Sequence, residues 1–187
     1  MDRLPERIEA GELLLRRWTV DDAEALGRLV AENAQHLRPW MPWMAEEPRT
    51  LAERIALIRV WEEDWRVGGD VLLAVVRDGD LAGSCGMHRR IGAGGVELGY
   101  WIGVPHLRQG VATAVAMALT NTALGLPGMD RVEIHHDVNN LASAGVPAGL
   151  GFEPVGQEPG DSRAPAASGV ERMWRATGPV EPVGSRA

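Results

Sequence analysis

The sequence contains no lysine, since all 19 of its basic residues are arginines. Covalent chemistry through a lysine Schiff base is therefore excluded. A single cysteine, Cys85, excludes an intrachain disulfide and fits a reducing compartment best. No apolar run approaches the length of a membrane span, and the N-terminus lacks the apolar segment of a signal peptide. We therefore expect a cytoplasmic protein with no membrane partner.

Aromatic residues other than tryptophan are also scarce, with seven Trp against one Tyr and one Phe. The net charge of −7 argues against a nucleic-acid partner. We find no zinc-type spacing of cysteine and histidine and expect no metal. The 187 residues suffice for one domain with a core. We expect residues 1–176 to form that domain and residues 177–187 to form a flexible tail.

Hydrophobic periodicity and turn signals predict about seven strands and four helices. Capping boxes at Thr19 with Asp22 and at Thr50 with Glu53 predict where the first two helices begin. Their order along the chain predicts a mixed α+β sheet flanked by helices rather than a doubly wound sheet. The predicted strands are 12–18, 70–77, 81–89, 96–104, 131–138, 152–156 and 170–175, and the later helices begin at Val111 and Asn139.

The stretch VELGYWIGVPHLRQGVATAVAMALTNTAL, residues 96–124, combines a strand, a glycine-bearing turn and a helix. The free N–H groups of a first helical turn and the helix dipole favour an anion such as phosphate. Gly110 lets backbone approach that anion, and Ala112 keeps the next position small. The spacing alone does not decide whether an anion binds here, because many strand–turn–helix units bind nothing. The stretch has neither a Walker Gly-Lys-Ser/Thr nor the three glycines of a dinucleotide fingerprint.

Two segments resemble motifs of the GNAT family of N-acetyltransferases, in particular its ribosomal-protein (RimJ/RimL-like) branch. YWIGVPHLRQGVATAVAMAL is similar to the family's acyl-CoA-binding segment, Arg/Gln-x-x-Gly-x-Gly/Ala. Gly110 and Ala112 match that pattern, whereas Leu107 stands where arginine or glutamine is usual. VNNLASAGVPAGLGFEPVG resembles the Asn-x-x-Ser…Gly-Phe signature through Asn140, Ser143, Gly151 and Phe152. The resemblance covers roughly residues 12–175.

The resemblance implies the family fold, with a splayed and mostly antiparallel central sheet. It also implies an acyl-CoA-dependent N-acyltransferase that needs no metal and acts by direct attack of a primary amine in a ternary complex. Acetyl-CoA would be the donor, a protein N-terminus or a small-molecule amine the acceptor, and a homodimer one assembly. The residues implied in CoA binding are Ile102, Gly103, Val104, Arg108, Gln109, Gly110, Val111, Ala112, Thr113, Asn140 and Ser143.

Acyl transfer from a thioester asks for a base near the amine and can use an acid near the leaving thiolate. In family members a strand glutamate near the position of Glu97 serves as the base. Strand alternation puts Glu97 on one face with Gly99 and Trp101, although it could simply be a polar residue on a half-exposed strand. Ser143 is the candidate acid, and its alternative is a small packing residue on a helix capped by Asn139 or Asn140.

The acceptor site is expected near the segment LRPWMPWM, where Trp40 and Trp43 could wall a pocket or could belong to the core. His88 on the third strand is a further candidate for that pocket.

Two other functions stay open. One is a non-catalytic acyl-CoA-binding or sensing module on the same fold. The other is transfer of a succinyl or longer acyl group, with Arg89 or Arg90 pairing with a succinyl carboxylate.

Overall fold

The computed structural model, which describes residues 3–184, contains one sheet of eight strands. The spatial order is β1-β2-β3-β4-β5-β6-β8-β7, and every neighbouring pair is antiparallel except β5 with β6. The predicted mixed, mostly antiparallel sheet is confirmed, with one strand more than expected at the N-terminus. The strands are β1 Arg7–Ala10, β2 Leu13–Arg17, β3 Val71–Arg77, β4 Asp80–His88, β5 Gly95–Ile102, β6 Arg131–Asp137, β7 Glu153–Pro159 and β8 Val170–Ala176.

Five α-helices accompany the sheet in this part of the chain: α1 Ala23–Glu32, α2 Ala34–Leu37, α3 Leu51–Arg66, α4 Val111–Leu124 and α5 Leu141–Gly149. The four predicted helices are present, and α2 is a single additional turn. Both predicted capping boxes form. The Thr19 box opens a 3₁₀ turn that leads into α1, and the Thr50 box opens α3. None of the helices in residues 3–184 is both long and apolar enough to cross a membrane.

The helices cover the two faces of the sheet separately, so there are two cores. On one face, called here the α4 face, Leu98 of β5 and Leu119 of α4 are buried in the same cluster. On the other, called the α1 face, Trp18 and Ile58 lie in a second cluster with residues of α1 and α3. β5 therefore presents alternate residues to different surroundings.

β5 and β6 pair only over part of their length. The parallel register runs from Gly95 opposite Arg131 to Leu98 opposite Ile134. Beyond that point β5 continues along β4 and β6 continues along β8. The strands therefore separate, and the space between residues 99–102 and 135–137 is called here the β5–β6 gap. Because α4 and α5 follow these two strands, both helix N-termini lie at the end of the sheet where the gap opens.

The chain after β8 returns to the helices. The Val180 side chain is buried, and the backbone of Val180 exchanges two hydrogen bonds with the Asn121 side chain on α4, at 2.8 and 3.0 Å. Val183 N–H donates to the Gly149 carbonyl of α5. The predicted tail, 177–187, begins in this segment, and residues 185–187 lie outside the described residues. The domain boundary at residue 176 stays a prediction.

Candidate active site

The turn before α4 leaves the first backbone N–H groups of the helix uncapped. Arg108 and Gly110 have positive φ angles of 61° and 77°, and Gly110 is the N-cap of α4. A Cβ at Gly110 would meet no atom within 4 Å. Among residues 3–184, no side chain caps this helix, and the N–H groups of Val111, Ala112 and Thr113 have no acceptor. These three donors and the helix dipole are the features that bind phosphate.

The side chain of Gln109 is engaged within the turn. Its Oε1 accepts from Arg77 at 2.6 Å, and its Nε2 donates to the Pro105 carbonyl at 2.7 Å. A ligand at the turn would therefore meet the backbone of Gln109 rather than its amide. Gln109 was predicted to contact CoA, and we now expect only its backbone, not its side chain, to do so.

The backbone that faces the β5–β6 gap is identified by the β4–β5 register. Gly103 N–H donates to the Ala82 carbonyl at 2.8 Å, on the β4 side. Because N–H and C=O groups alternate between the two sides of a strand, those of Tyr100 and Ile102 point into the gap. Of the predicted backbone donors, Ile102 is thus available, whereas Gly103 and Val104 already donate within the chain. The backbone of Tyr100 was not among the CoA-binding groups predicted from the sequence.

Asn33 fixes the end of β5 to α1. Its side chain is buried, donates to the Leu29 carbonyl at 2.8 Å and accepts from Val104 N–H at 2.7 Å. A buried amide with both ends paired holds its partners in one arrangement. The segment between β5 and the turn before α4 is therefore positioned from the α1 side.

The Tyr100 hydroxyl is buried and makes no short, well-aligned hydrogen bond to a described residue. Burial raises the pKa of Tyr100 to about 12, and a weaker hydrogen-bonding interaction with the Ser143 side chain lowers it. Ser143 lies on α5, where its N–H donates to the Asn140 side chain, the N-cap, at 3.1 Å. The two hydroxyls lie near the gap on the α4 face. A buried hydroxyl that is paired only weakly gains a full hydrogen bond when a polar ligand enters.

Glu97 lies on the opposite face and is 7% exposed. Arg90 Nε donates to Oε2 at 2.7 Å, and Arg90 also contacts Oε1, so both carboxylate oxygens face one guanidinium. This pairing raises the pKa of Arg90, because the hydrogen bond with Glu97 outweighs desolvation. The predicted base is therefore on the expected face but is neutralised by a bidentate ion pair. Its catalytic role stays a prediction.

On the α1 face, Glu97 is followed across the sheet by charged or titratable side chains of β6 and β8. His135 Nδ1 lies 3.6 Å from Glu97, and its Nε2 lies 2.7 Å from the Glu133 carboxylate. Glu133 is buried and also accepts from Arg175 Nε at 2.8 Å. For Glu133, burial raises the pKa, but the hydrogen bonds from His135 and Arg175 outweigh it and the pKa is lowered. These contacts hold the charged side chains of the α1 face in fixed, partly buried positions.

Two of the predicted acceptor residues, His88 and Trp43, lie on the same face. His88 at the end of β4 has its Nδ1 2.7 Å from the Asp70 carboxylate. Trp43, in the 3₁₀ segment Pro42–Glu46, packs against Trp101 of β5 with ring centroids 6.2 Å apart. Trp40 is half-buried in the turn that follows α2. The Trp43 ring belongs to the second hydrophobic cluster, so Trp43 is part of the core. Its role in an acceptor pocket stays a prediction.

The single cysteine and the possible metal ligands complete the list of reactive groups. Cys85 is fully buried in the α4-face core, and burial raises the pKa of its thiol. No group of three or more His, Cys, Asp or Glu residues within residues 3–184 is arranged to hold a metal ion.

A sequence model of the acetyltransferase (GNAT) domain matches residues 12–153, well over half of the chain. The protein belongs to the GNAT family. YdaF of Bacillus subtilis (strain 168), provisionally named a ribosomal N-acetyltransferase, is 30% identical over 147 residues, which are 78% of this chain and 80% of YdaF. The protein is therefore a GNAT-type N-acetyltransferase, and its sequence relatives include the ribosomal branch.

Solved structures agree with the GNAT fold. The ribosomal L7/L12 α-N-protein acetyltransferase RimL, in complex with coenzyme A, superposes with a TM-score of 0.81 at 18% identity, covering 96% of this chain and 100% of RimL. Mycobacterium smegmatis RimJ, in complex with CoA-disulfide, gives 0.80 at 21% identity over 91% and 84% of the two chains. The microcin C7 self-immunity acetyltransferase MccE, with acetyl-CoA and AMP, gives 0.81 at 18% identity over 89% and 93%.

Proposed function

We propose that this GNAT protein transfers an acetyl group from acetyl-CoA to a primary amine at a protein N-terminus. The observation that carries the proposal is the β5–β6 gap, where unpaired strand backbone leads to an open anion site at α4. YdaF and RimL support a protein acceptor through their names. RimL and RimJ were crystallised with CoA species.

The residues fit an acyl-CoA molecule at three points. The N–H groups of the α4 first turn suit the diphosphate. The free backbone groups of Tyr100 and Ile102 suit the amides of a pantetheine arm, in the manner of an added strand. The buried Tyr100 hydroxyl suits a polar group near the thioester. Asn140 would border the pantetheine arm, and the predicted turn residues Arg108 to Thr113 would border the diphosphate.

Acetyl-CoA supplies an already activated thioester, so the protein needs only to orient the amine and handle protons. Ser143 and Tyr100 lie on the α4 face of the gap, and Glu97 lies on the α1 face. We infer that the donor is held from the α4 face and the amine arrives from the α1 face, which allows direct attack in a ternary complex. The net charge of −7 favours a cationic acceptor.

An acetyl donor is favoured over a succinyl donor. Arg90 was a candidate partner for a succinyl carboxylate, but Glu97 already engages it with both oxygens. A succinyl carboxylate at this position would have to compete with Glu97 for the half-exposed guanidinium of Arg90.

The first prediction is that acetyl-CoA with peptides beginning in Ser or Ala gives steady thiol release and peptides heavier by one acetyl group. The same peptides with a blocked N-terminus are the control and should not react. Small amines form a second arm, and succinyl-CoA a third. Acetyl-CoA binding by calorimetry without thiol release for any amine would contradict the proposal and indicate a sensing module. Faster turnover with succinyl-CoA would contradict the choice of donor.

The second prediction concerns Ser143. If Ser143 protonates the leaving thiolate, Ser143→Ala should lower kcat roughly ten- to a hundredfold, a modest general-acid effect. CoA affinity should change little, because a mainly backbone site loses one hydroxyl contact, about 1 kcal/mol. The helix should survive, since alanine favours helix.

Ser162→Ala, at an exposed position in the β7–β8 loop, is the matched control. Normal turnover in Ser143→Ala would make Ser143 a packing residue. A loss of CoA affinity that parallels the loss of activity would make it a binding residue only.

A further inference from the structure

Three side chains on the α1 face could accept a proton beside the β5–β6 gap: Glu97, His135 and His88. Both oxygens of Glu97 face Arg90. Both ring nitrogens of His135 face carboxylates, one of Glu97 at 3.6 Å and one of Glu133 at 2.7 Å. A carboxylate that accepts from a guanidinium, and a ring nitrogen that already has a carboxylate beside it, are poor acceptors for a substrate proton. Of the three, only His88 retains a ring nitrogen that has no partner among residues 3–184.

The Asp70 carboxylate holds the imidazole of His88 in position through Nδ1. Its Nδ1 lies 2.7 Å from Asp70 Oδ2, and Asp70 Oδ1 accepts from the Arg89 N–H at 2.8 Å. Burial raises the pKa of Asp70, but the hydrogen bonds from His88 and Arg89 outweigh it, so the pKa is lowered and the carboxylate stays ionised. An ionised carboxylate at Nδ1 keeps the proton on that nitrogen and leaves the lone pair on Nε2.

The free nitrogen points to the start of the gap. A Cβ at Gly86 would lie 3.3 Å from His88 Nε2, and a Cβ at Gly99 would lie 3.2 Å from it. The ring therefore lies over two glycines that have no side chain to obstruct it. Leu98 is the last β5 residue paired with β6, so Gly99 is the first residue that borders the gap. Nε2 thus lies on the α1 face at the point where the strands separate.

We propose that His88 is the general base of the acetyl transfer and that Asp70 is its positioning residue. The inference rests on the proposed function. The amine nitrogen forms a bond to the thioester carbonyl carbon, and His88 Nε2 takes the proton that the nitrogen loses. The carbon–sulfur bond breaks with its electron pair on sulfur, and the thiolate is protonated by Ser143 or by water. His88 then releases its proton to solvent. If Ser143 protonated the thiolate, it takes a proton back from solvent.

The charges around His88 suit this step. Asp70 on the β3 side and Glu97 opposite on β5 are acidic, and Arg90 is the nearby cation. Glu97 is neutralised by Arg90, so Asp70 is the charge that acts directly on the ring. A protonated His88 is therefore stabilised by Asp70 while it holds the substrate proton.

The third prediction tests His88 by substitution. His88→Gln keeps a donor for Asp70 but removes the titrating nitrogen, so kcat/KM for a Ser-initiated peptide should fall a hundredfold or more. The acid limb of the wild-type pH profile should disappear in the variant, whereas acetyl-CoA affinity by calorimetry should not change. His36→Gln, an exposed histidine on α2, is the matched control and should keep the wild-type rate.

Asp70→Asn tests the positioning role. An asparagine amide can donate to Nδ1 and drive the proton to Nε2, so kcat should fall and ¹⁵N NMR of His88 should report the other tautomer. In the wild type the same spectrum should report a proton on Nδ1, and a proton on Nε2 would overturn the inference without any turnover assay.

His88→Gln with a wild-type rate, together with loss of the acid limb in Glu97→Gln, would overturn the inference but leave acetyl transfer intact. Wild-type protein that binds acetyl-CoA but acetylates no amine would overturn the proposed function, and the inference with it.

Discussion

Gly110→Asp should abolish the thermal stabilisation that acetyl-CoA gives the wild-type protein. At a ligand concentration of 100 Kd the wild type should gain about 2.7 kcal/mol, which raises Tm by roughly 5 to 10 °C. The aspartate side chain would enter the open space before α4 and face the unpaired N–H groups of its first turn. Its carboxylate would occupy the anion site and repel the diphosphate.

The variant should still fold. Gly110 has a φ of 77°, and aspartate tolerates this left-handed conformation better than most residues, at a cost of roughly 1 to 2 kcal/mol. Gly128→Asp is the matched control, because Gly128 has a φ of 75°, equally open surroundings and a position past the far end of α4. It should carry the same strain and keep the ligand response. An unchanged response in Gly110→Asp would contradict the phosphate assignment.

The strand, glycine turn and helix at Gly110 were predictable because their signal is local. A strand, Pro105, Gly110 and an apolar helix follow one another without a break, so the sequence order dictates the geometry. The same is true of the two capping boxes, each formed by residues three apart, and of the Asn140 cap. Local hydrogen bonds of this kind do not depend on how distant strands align.

Short elements escaped prediction because they have too few residues for a period. β1 is four residues long with alternating burial, and it forms because β2 supplies its partner across the turn at Gly11. α2 is also four residues long, directly after α1. In both, tertiary contacts rather than propensity decide the structure.

The His88–Asp70 pair shows why much of the candidate site could not be derived from the sequence. From the turn, Arg77 pairs with Asp80 and Val76 with Leu81, but a bulge then shifts the register so that Val71 pairs with Met87. Continued by one residue, the shifted register puts Asp70 opposite His88 and both on one face. Without the bulge, Asp70 would lie opposite Met87, on the other face from His88.

The Arg90–Glu97 ion pair depends on strand register in the same way. Arg90 lies in the β4–β5 connection and Glu97 in β5, and the register of His88 opposite Glu97 brings the guanidinium to the carboxylate. Strand alternation correctly predicted the face of Glu97 but could not reveal what neutralises it. The separation of β5 from β6 is likewise a property of two strands, and it was expected only through the family resemblance.

Glu47→Ala should destabilise the fold by about 3 to 5 kcal/mol, a large share of the 5 to 15 kcal/mol typical of a domain. Glu47 Oε2 accepts from Arg54 at 2.7 Å and from Arg49 N–H at 3.0 Å, and the paired side chains are only 8% and 5% exposed. The pair ties the connection that carries Trp43 to α3. Without Glu47, the guanidinium of Arg54 remains buried with no carboxylate to balance it.

Urea denaturation should report this loss as a lower midpoint at an unchanged m value. Adding Arg54→Met to the variant should restore most of the stability, because removing both charges of a buried pair costs far less than removing one. Glu63→Ala is the matched control, since it breaks the exposed Glu63–Arg66 pair on the same helix and should leave the midpoint nearly unchanged. A midpoint for Glu47→Ala that matches this control would mean that Arg54 reaches solvent, and that packing alone holds the connection against α3.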